Sequence, residues 1–111
     1  MKLSTHVRKE YLVIRAEGEF DVHAAAEFKQ TVDNALTACG ARNLALSFKG
    51  VSFIDSSGVG AILSRYKRIQ QLGGEIAVMN LQPQVARVLE LAGLFRLVKV
   101  YQSEKQAFEG E

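Results

Sequence analysis

The sequence predicts an α/β fold: a mixed, mostly parallel β-sheet with a β-hairpin at one edge and helices mostly on one face. Three observations lead there. Short β-rich runs alternate with segments whose apolar residues recur at helical spacing, in the order β-β-α-β-α-β-α-β-α. Strands separated by helices favour parallel pairing through right-handed crossovers. The first two strands are separated only by Lys9-Glu10, a tight hairpin turn that adds an antiparallel edge. The 111 residues make one ordinary domain, 1–111, long enough for a core that needs neither disulfide nor structural metal.

Each element has its own signal. Leu3 to Arg8 alternates weakly, and Tyr11 to Ala16 is a β-rich run that Gly18 breaks. Asp21 is placed to cap a helix whose stripe is Ala24, Ala25, Phe28, Val32, Ala35 and Leu36, stopping near Cys39-Gly40. Asn43 to Phe48 reads as a strand buried on both faces for part of its length. After a break at Lys49-Gly50, Val51 to Ile54 continues the extended chain. Asp55-Ser56-Ser57-Gly58 then opens a second helix, striped by Val59, Ile62, Leu63, Tyr66 and Ile69 and ended by Gly73-Gly74. Glu75 to Met79 is a strand. Pro83 starts a helix bearing Val85, Val88, Leu89 and Ala92, which ends at Gly93. Leu97 to Tyr101 is the last strand, and Ser103 caps a short tail helix containing Glu104, Ala107 and Phe108.

Composition excludes several classes. The formal charge of +2, with basic residues scattered except for Arg65, Lys67 and Arg68, is no footprint for nucleic acid. Cys39 is the only cysteine, so no internal disulfide can form, and a lone reduced thiol fits the cytoplasm. The first residues carry no signal-peptide apolar run, and no window approaches the roughly 18 apolar residues of a membrane span. Gly58-Val59-Gly60 would begin a dinucleotide fingerprint, but Leu63 stands at the third glycine position and no P-loop lysine follows. Ser56 or Ser57 as a hydrolytic nucleophile lacks a general base in any motif, and His6, His23 and Cys39 have no metal-ligand spacing. The expectation is a soluble cytoplasmic protein that is no enzyme and uses no cofactor or metal.

Asp55-Ser56-Ser57-Gly58 is the feature with chemical content. A strand that runs into it and a helix that follows put a carboxylate and two hydroxyls at a helix N-terminus, where backbone N–H groups lack intrahelical acceptors. The local dipole favours negative charge, so a phosphate fits there. A phosphorylated serine adds about −1.5 to −2 charges. On physics alone simple capping is the better reading, since Ser and Asp are preferred N-caps. Capping needs one such residue, however, and three precede the small residues Gly58-Val59-Gly60-Ala61, which leave the first turn open to close approach.

Phe53-Ile54-Asp55-Ser56-Ser57-Gly58-Val59-Gly60 resembles the signature of the STAS-domain anti-sigma-factor antagonists. Gly18-Glu19-Phe20-Asp21, Arg65-Tyr66-Lys67-Arg68-Ile69, Gly73-Gly74-Glu75 and Leu91-Ala92-Gly93-Leu94-Phe95 extend the resemblance over essentially the whole chain, and Arg65-Tyr66-Lys67 points to the sporulation branch. The resemblance implies the STAS fold and partner switching. The unphosphorylated antagonist binds an anti-sigma factor that is also an ATP-dependent serine kinase, and a sigma factor is released. The kinase phosphorylates the first serine of the pair, Ser56 here, and a PP2C-type phosphatase reverses it. Carried over by position, Asp55 orients the acceptor or contacts the kinase, Ser57 caps the helix, Asp21 joins the docking surface, and Gly58 and Gly60 permit close approach. Phe20 stands where leucine is commoner, and Val22-His23 replaces a histidine pair. The same fold also serves stress-response antagonists and lipid-transport subunits, which are the alternative functions.

Overall fold

The structure, a computed structural model, describes residues 1–110. The hairpin joins β1 (Lys2–Arg8) to β2 (Tyr11–Phe20). Lys9 turns the chain with a positive φ of 54°. There follow α1 (Val22–Cys39), β3 (Asn43–Ile54), α2 (Ser56–Gln71), β4 (Ile76–Met79), α3 (Pro83–Leu91), β5 (Lys99–Tyr101) and α4 (Glu104–Glu109). The strands lie in the order β1-β2-β3-β4-β5 in a single sheet. β1 and β2 are antiparallel, and every later pair is parallel.

The period-two alternation of strand side chains sorts the core into two layers. Leu12, Ile14, Leu44, Leu46, Ile76 and Val78 point to one face, where Phe28, Val32 and Leu36 of α1, Ile62 and Ile69 of α2, and Val85 and Leu89 of α3 cover them. Their neighbours Val13, Ala45, Ala77 and Met79 point to the other face, which α4 covers through Phe108. Helices are thus mostly on one face, as expected. All four residues of β4 are buried because both faces are covered. Between α1 and α2, Asp33 accepts hydrogen bonds from Arg65 and from Arg68, the latter at 2.5 Å. Burial raises the Asp33 pKa, but the two guanidinium groups outweigh it and hold the carboxyl below its ordinary range.

Three expected boundaries move. Gly18 does not end β2. It takes φ 115° and the strand runs on to Phe20, with a register shift after Gly18. Lys49-Gly50 does not interrupt β3 either, because the irregularity is absorbed as bulges within one continuous strand. The last strand starts later, since Leu94–Arg96 coil into a 3₁₀ turn after Gly93, which has φ 80°.

α4 is clamped by charge as well as by Phe108. Arg15 grips Glu104 with two nitrogens, Nη2 to Oε1 at 3.0 Å and Nε to Oε2 at 3.2 Å. Lys9 Nζ donates to the Phe108 carbonyl at 2.6 Å, and the Tyr11 ring meets Phe108 edge-on at 5.4 Å. The Arg15 hydrogen bonds outweigh burial and hold the Glu104 carboxyl below the usual range. A depressed carboxylate stabilises above its unfolded pKa of about 4.3, and that stability fades as pH falls through the lowered folded value. Acid titration therefore weakens the α4 clamp below about pH 4.3, reported by loss of the Phe108 ring-proton shifts in NMR. Glu104→Gln should abolish this step, and an unchanged titration in that variant would refute the assignment.

Candidate functional site

Parallel β2 and β3 finish side by side, Phe20 opposite Ile54. The Asp55 N–H donates to the Phe20 carbonyl at 3.3 Å, closing the ladder. Each strand is followed by an aspartate that caps a helix, so the N-termini of α1 and α2 are neighbours at one end of the sheet. Asp21 Oδ1 accepts from the N–H groups of His23 at 3.1 Å and Ala24 at 3.0 Å. Asp55 Oδ1 accepts from those of Ser57 at 2.9 Å and Gly58 at 3.2 Å. The Ala24 hydrogen bond leads in holding the Asp21 carboxyl below its ordinary range.

The cap of α2 is therefore Asp55. Ser57, expected in that role, sits inside the first turn and donates its backbone N–H to the Asp55 carboxylate. Both residue types cap well. What decides is where β3 stops, and pairing with Phe20 fixes that at Ile54. Ser56 is the first helical residue and is exposed, while Asp55 and Ser57 are half-buried.

The two glycines divide. A Cβ on Gly58 would lie 2.7 Å from Ile54 Cγ1, 2.8 Å from the Phe20 carbonyl oxygen and 2.9 Å from Phe20 Cδ1. The close approach at Gly58 is thus made by the protein's own strand ends, contrary to its expected openness to a partner. At Gly60, by contrast, nothing lies within 4 Å of where a Cβ would be. It follows Ser56 by one turn on the same face of α2.

Two apolar residues beside this end of the sheet were noted in the sequence but not counted among its site residues. Val22, directly after the Asp21 cap, is 60% exposed, and Phe53, two residues before Asp55, is 45% exposed. The available signal was position: Val22 lies off the α1 apolar stripe, and Phe53 alternates with the inward Ile54. Both leave apolar surface in water near the Asp21 and Asp55 turns.

An exposed serine thus stands on a capped helix end, with two aspartates and two exposed apolar side chains at the neighbouring chain turns. The model of the STAS domain matches residues 2–107. The chain belongs to the STAS-domain family. It is 41% identical to the anti-sigma F factor antagonist of Paenibacillus polymyxa over 96 residues, 86% of this chain and 82% of that one. The solved structure of the anti-sigma factor antagonist SpoIIAA in its unphosphorylated form superposes with a TM-score of 0.84 at 26% identity, covering 98% of this chain and 95% of the other. The Bacillus cell fate determinant SpoIIAA in its phosphorylated form gives 0.76 at 27% identity, covering 98% of both chains.

The cap assignment separates the two polar neighbours of Ser56. Asp55→Ala should lower unfolding stability by about 1 kcal/mol, whereas Ser57→Ala should stay within about 0.5 kcal/mol of wild type. Urea denaturation reads both, and the reverse order would return the cap to Ser57.

Proposed function

We propose that this protein is an anti-sigma-factor antagonist whose binding is switched by phosphorylation of Ser56. The observation that carries the proposal is the division of labour at the start of α2. Asp55 supplies the cap, so the fold leaves the Ser56 hydroxyl exposed on the first helical residue. The similarity to the antagonist of Paenibacillus polymyxa supports the class of partner. The partner is an anti-sigma factor with serine kinase activity, and a PP2C-type phosphatase resets the switch. The site has no catalysis of its own.

In the modification step the Ser56 Oγ attacks the γ-phosphorus of ATP held by the kinase. The bond to the β-phosphate oxygen breaks, ADP leaves, and the hydroxyl proton passes to a base of the kinase. The new group carries about −1.5 to −2 charges. The N-terminus of α2 tolerates it, since the helix dipole there favours an anion. A partner fitted to the bare surface does not. Its contact would cover Val22 and Phe53 and would have to desolvate a phosphate beside Asp55 and Asp21. Gly60 leaves room for the partner's backbone on the Ser56 face of the helix. Modification therefore blocks binding while the fold persists.

Intact-mass spectrometry after incubation with the kinase and ATP should show one added phosphate, absent in Ser56→Ala. Undiminished phosphorylation of that variant would sink the assignment. By calorimetry, Ser56→Asp should bind the anti-sigma factor at least about tenfold more weakly than wild type; equal affinity would remove the switch.

A further inference from the structure

β4 pairs with β3 only from Leu44 to Ser47 and ends at Met79. The second half of β3, which leads to Asp55 and Ser56, therefore has β2 on one side and no strand on the other. That half also carries both bulges. β2 pairs Arg15 with Ser47 and then Glu17 with Gly50, and later Gly18 with Val51 and then Glu19 with Phe53. Phe48, Lys49 and Ser52 are left without a partner in this register. Bulged residues turn backbone groups out of the ladder, and those groups need other partners.

Side-chain amides follow β4 at every second residue, and two of the three meet such backbone groups. Asn80 Nδ2 donates to Ser47 Oγ at 3.0 Å, where the strand pairing ends. Gln82 Nε2 donates to the Lys49 carbonyl at 2.9 Å, and Gln84 Nε2 to the Ser52 carbonyl at 2.9 Å. Gln84 Nε2 also donates to Gln82 Oε1 at 2.9 Å, which uses both of its hydrogens and ties the pair together. The two glutamines thus meet carbonyls of bulged residues. Their backbones are held in turn, because Gln82 is the N-cap of α3 and Pro83 opens that helix.

We infer that Gln82 and Gln84 are positioning residues for the Ser56 acceptor: they continue the β4 ladder in side-chain form and hold the bulged half of β3 in register with β2. Ser52 lies four residues before Ser56, and only the extended run Phe53-Ile54-Asp55 separates them. A slack bulge at Ser52 would shift the Phe20–Ile54 closure, and with it the Asp55 cap and the hydroxyl behind it. The role as acceptor positioner rests on the phosphorylation proposed above; the clamp itself does not.

Gln84→Glu tests it with little change in shape. A carboxylate cannot donate to the Ser52 carbonyl, yet an acidic residue in the first turn of α3 is favoured by the helix dipole, so the melting temperature should hold. Amide hydrogen exchange across residues 51–55 should accelerate about tenfold. The kinase kcat/KM at Ser56 should fall about tenfold, carried by kcat, as expected for a misplaced acceptor. Gln84→Met, apolar and of similar length, should reproduce both changes without the charge. Wild-type exchange in both variants overturns the clamp. Faster exchange with unchanged kcat/KM makes the glutamines a structural tie only and overturns the positioning role. If the kinase leaves even wild type unmodified, the phosphorylation reading and the positioning role both fail, while exchange still decides the clamp.

Discussion

The flush ending of β2 and β3 is the constraint on which the functional end of this protein depends. β2 has ten residues and β3 has twelve, yet Tyr11 faces Asn43 at one end and Phe20 faces Ile54 at the other. The surplus is taken up by bulges in β3. Without them the pairing would leave one strand overhanging, and the two aspartate caps would no longer be neighbours. The same pairing pushes Phe20 and Ile54 against Gly58, so the first turn of α2 is seated on the ends of two strands. A β-carbon at that glycine would force the helix off its seat.

Much of this was readable in the residues. Asp21 before a clean apolar stripe located the start of α1, and Gly40 after Cys39 located its end, because capping and left-handed termination are local chemistry. Pro83, Gly93 and Ser103 worked in the same way. Parallel pairing after the first hairpin followed from the helices that separate the later strands. The misplaced features are those decided by a partner far along the chain. Gly18 and Lys49-Gly50 look like breaks locally and become bulges only because β2 and β3 are paired through them. Asp55, Ser56 and Ser57 are chemically equivalent as candidate caps, so the choice waits on where Phe20 stops the strand. Gly58 and Gly60 read alike in sequence, yet one is packed and the other open.

The rest of the molecule separates support from display. Three helices share one layer of core, and Asp33 with Arg65 and Arg68 joins α1 to α2 away from their N-termini. Two of the three residues that look like a basic cluster in the sequence are thereby committed to internal pairing. What remains at the capped ends is small, polar and flanked by Val22 and Phe53. The opposite face of the sheet is secured by short α4 through Glu104 and Phe108.

The seating of Gly58 has a further consequence for how a kinase would recognise the serine under the proposed switch. Many modified serines lie in mobile segments that a kinase must straighten and order in its own cleft, an entropy loss of about 1–2 kcal/mol for each residue fixed. Here that ordering is already done by the fold. Ser56 begins a helix whose position is set by strand ends, a cap and a tightly packed glycine. A kinase that acts on it, as proposed, would meet a preformed three-dimensional face and would read residues from separate parts of the chain at once. A linear peptide copied from residues 51–60 would keep the letters of the motif and lose that shape, so selectivity would reside in the folded surface rather than in the local string of residues.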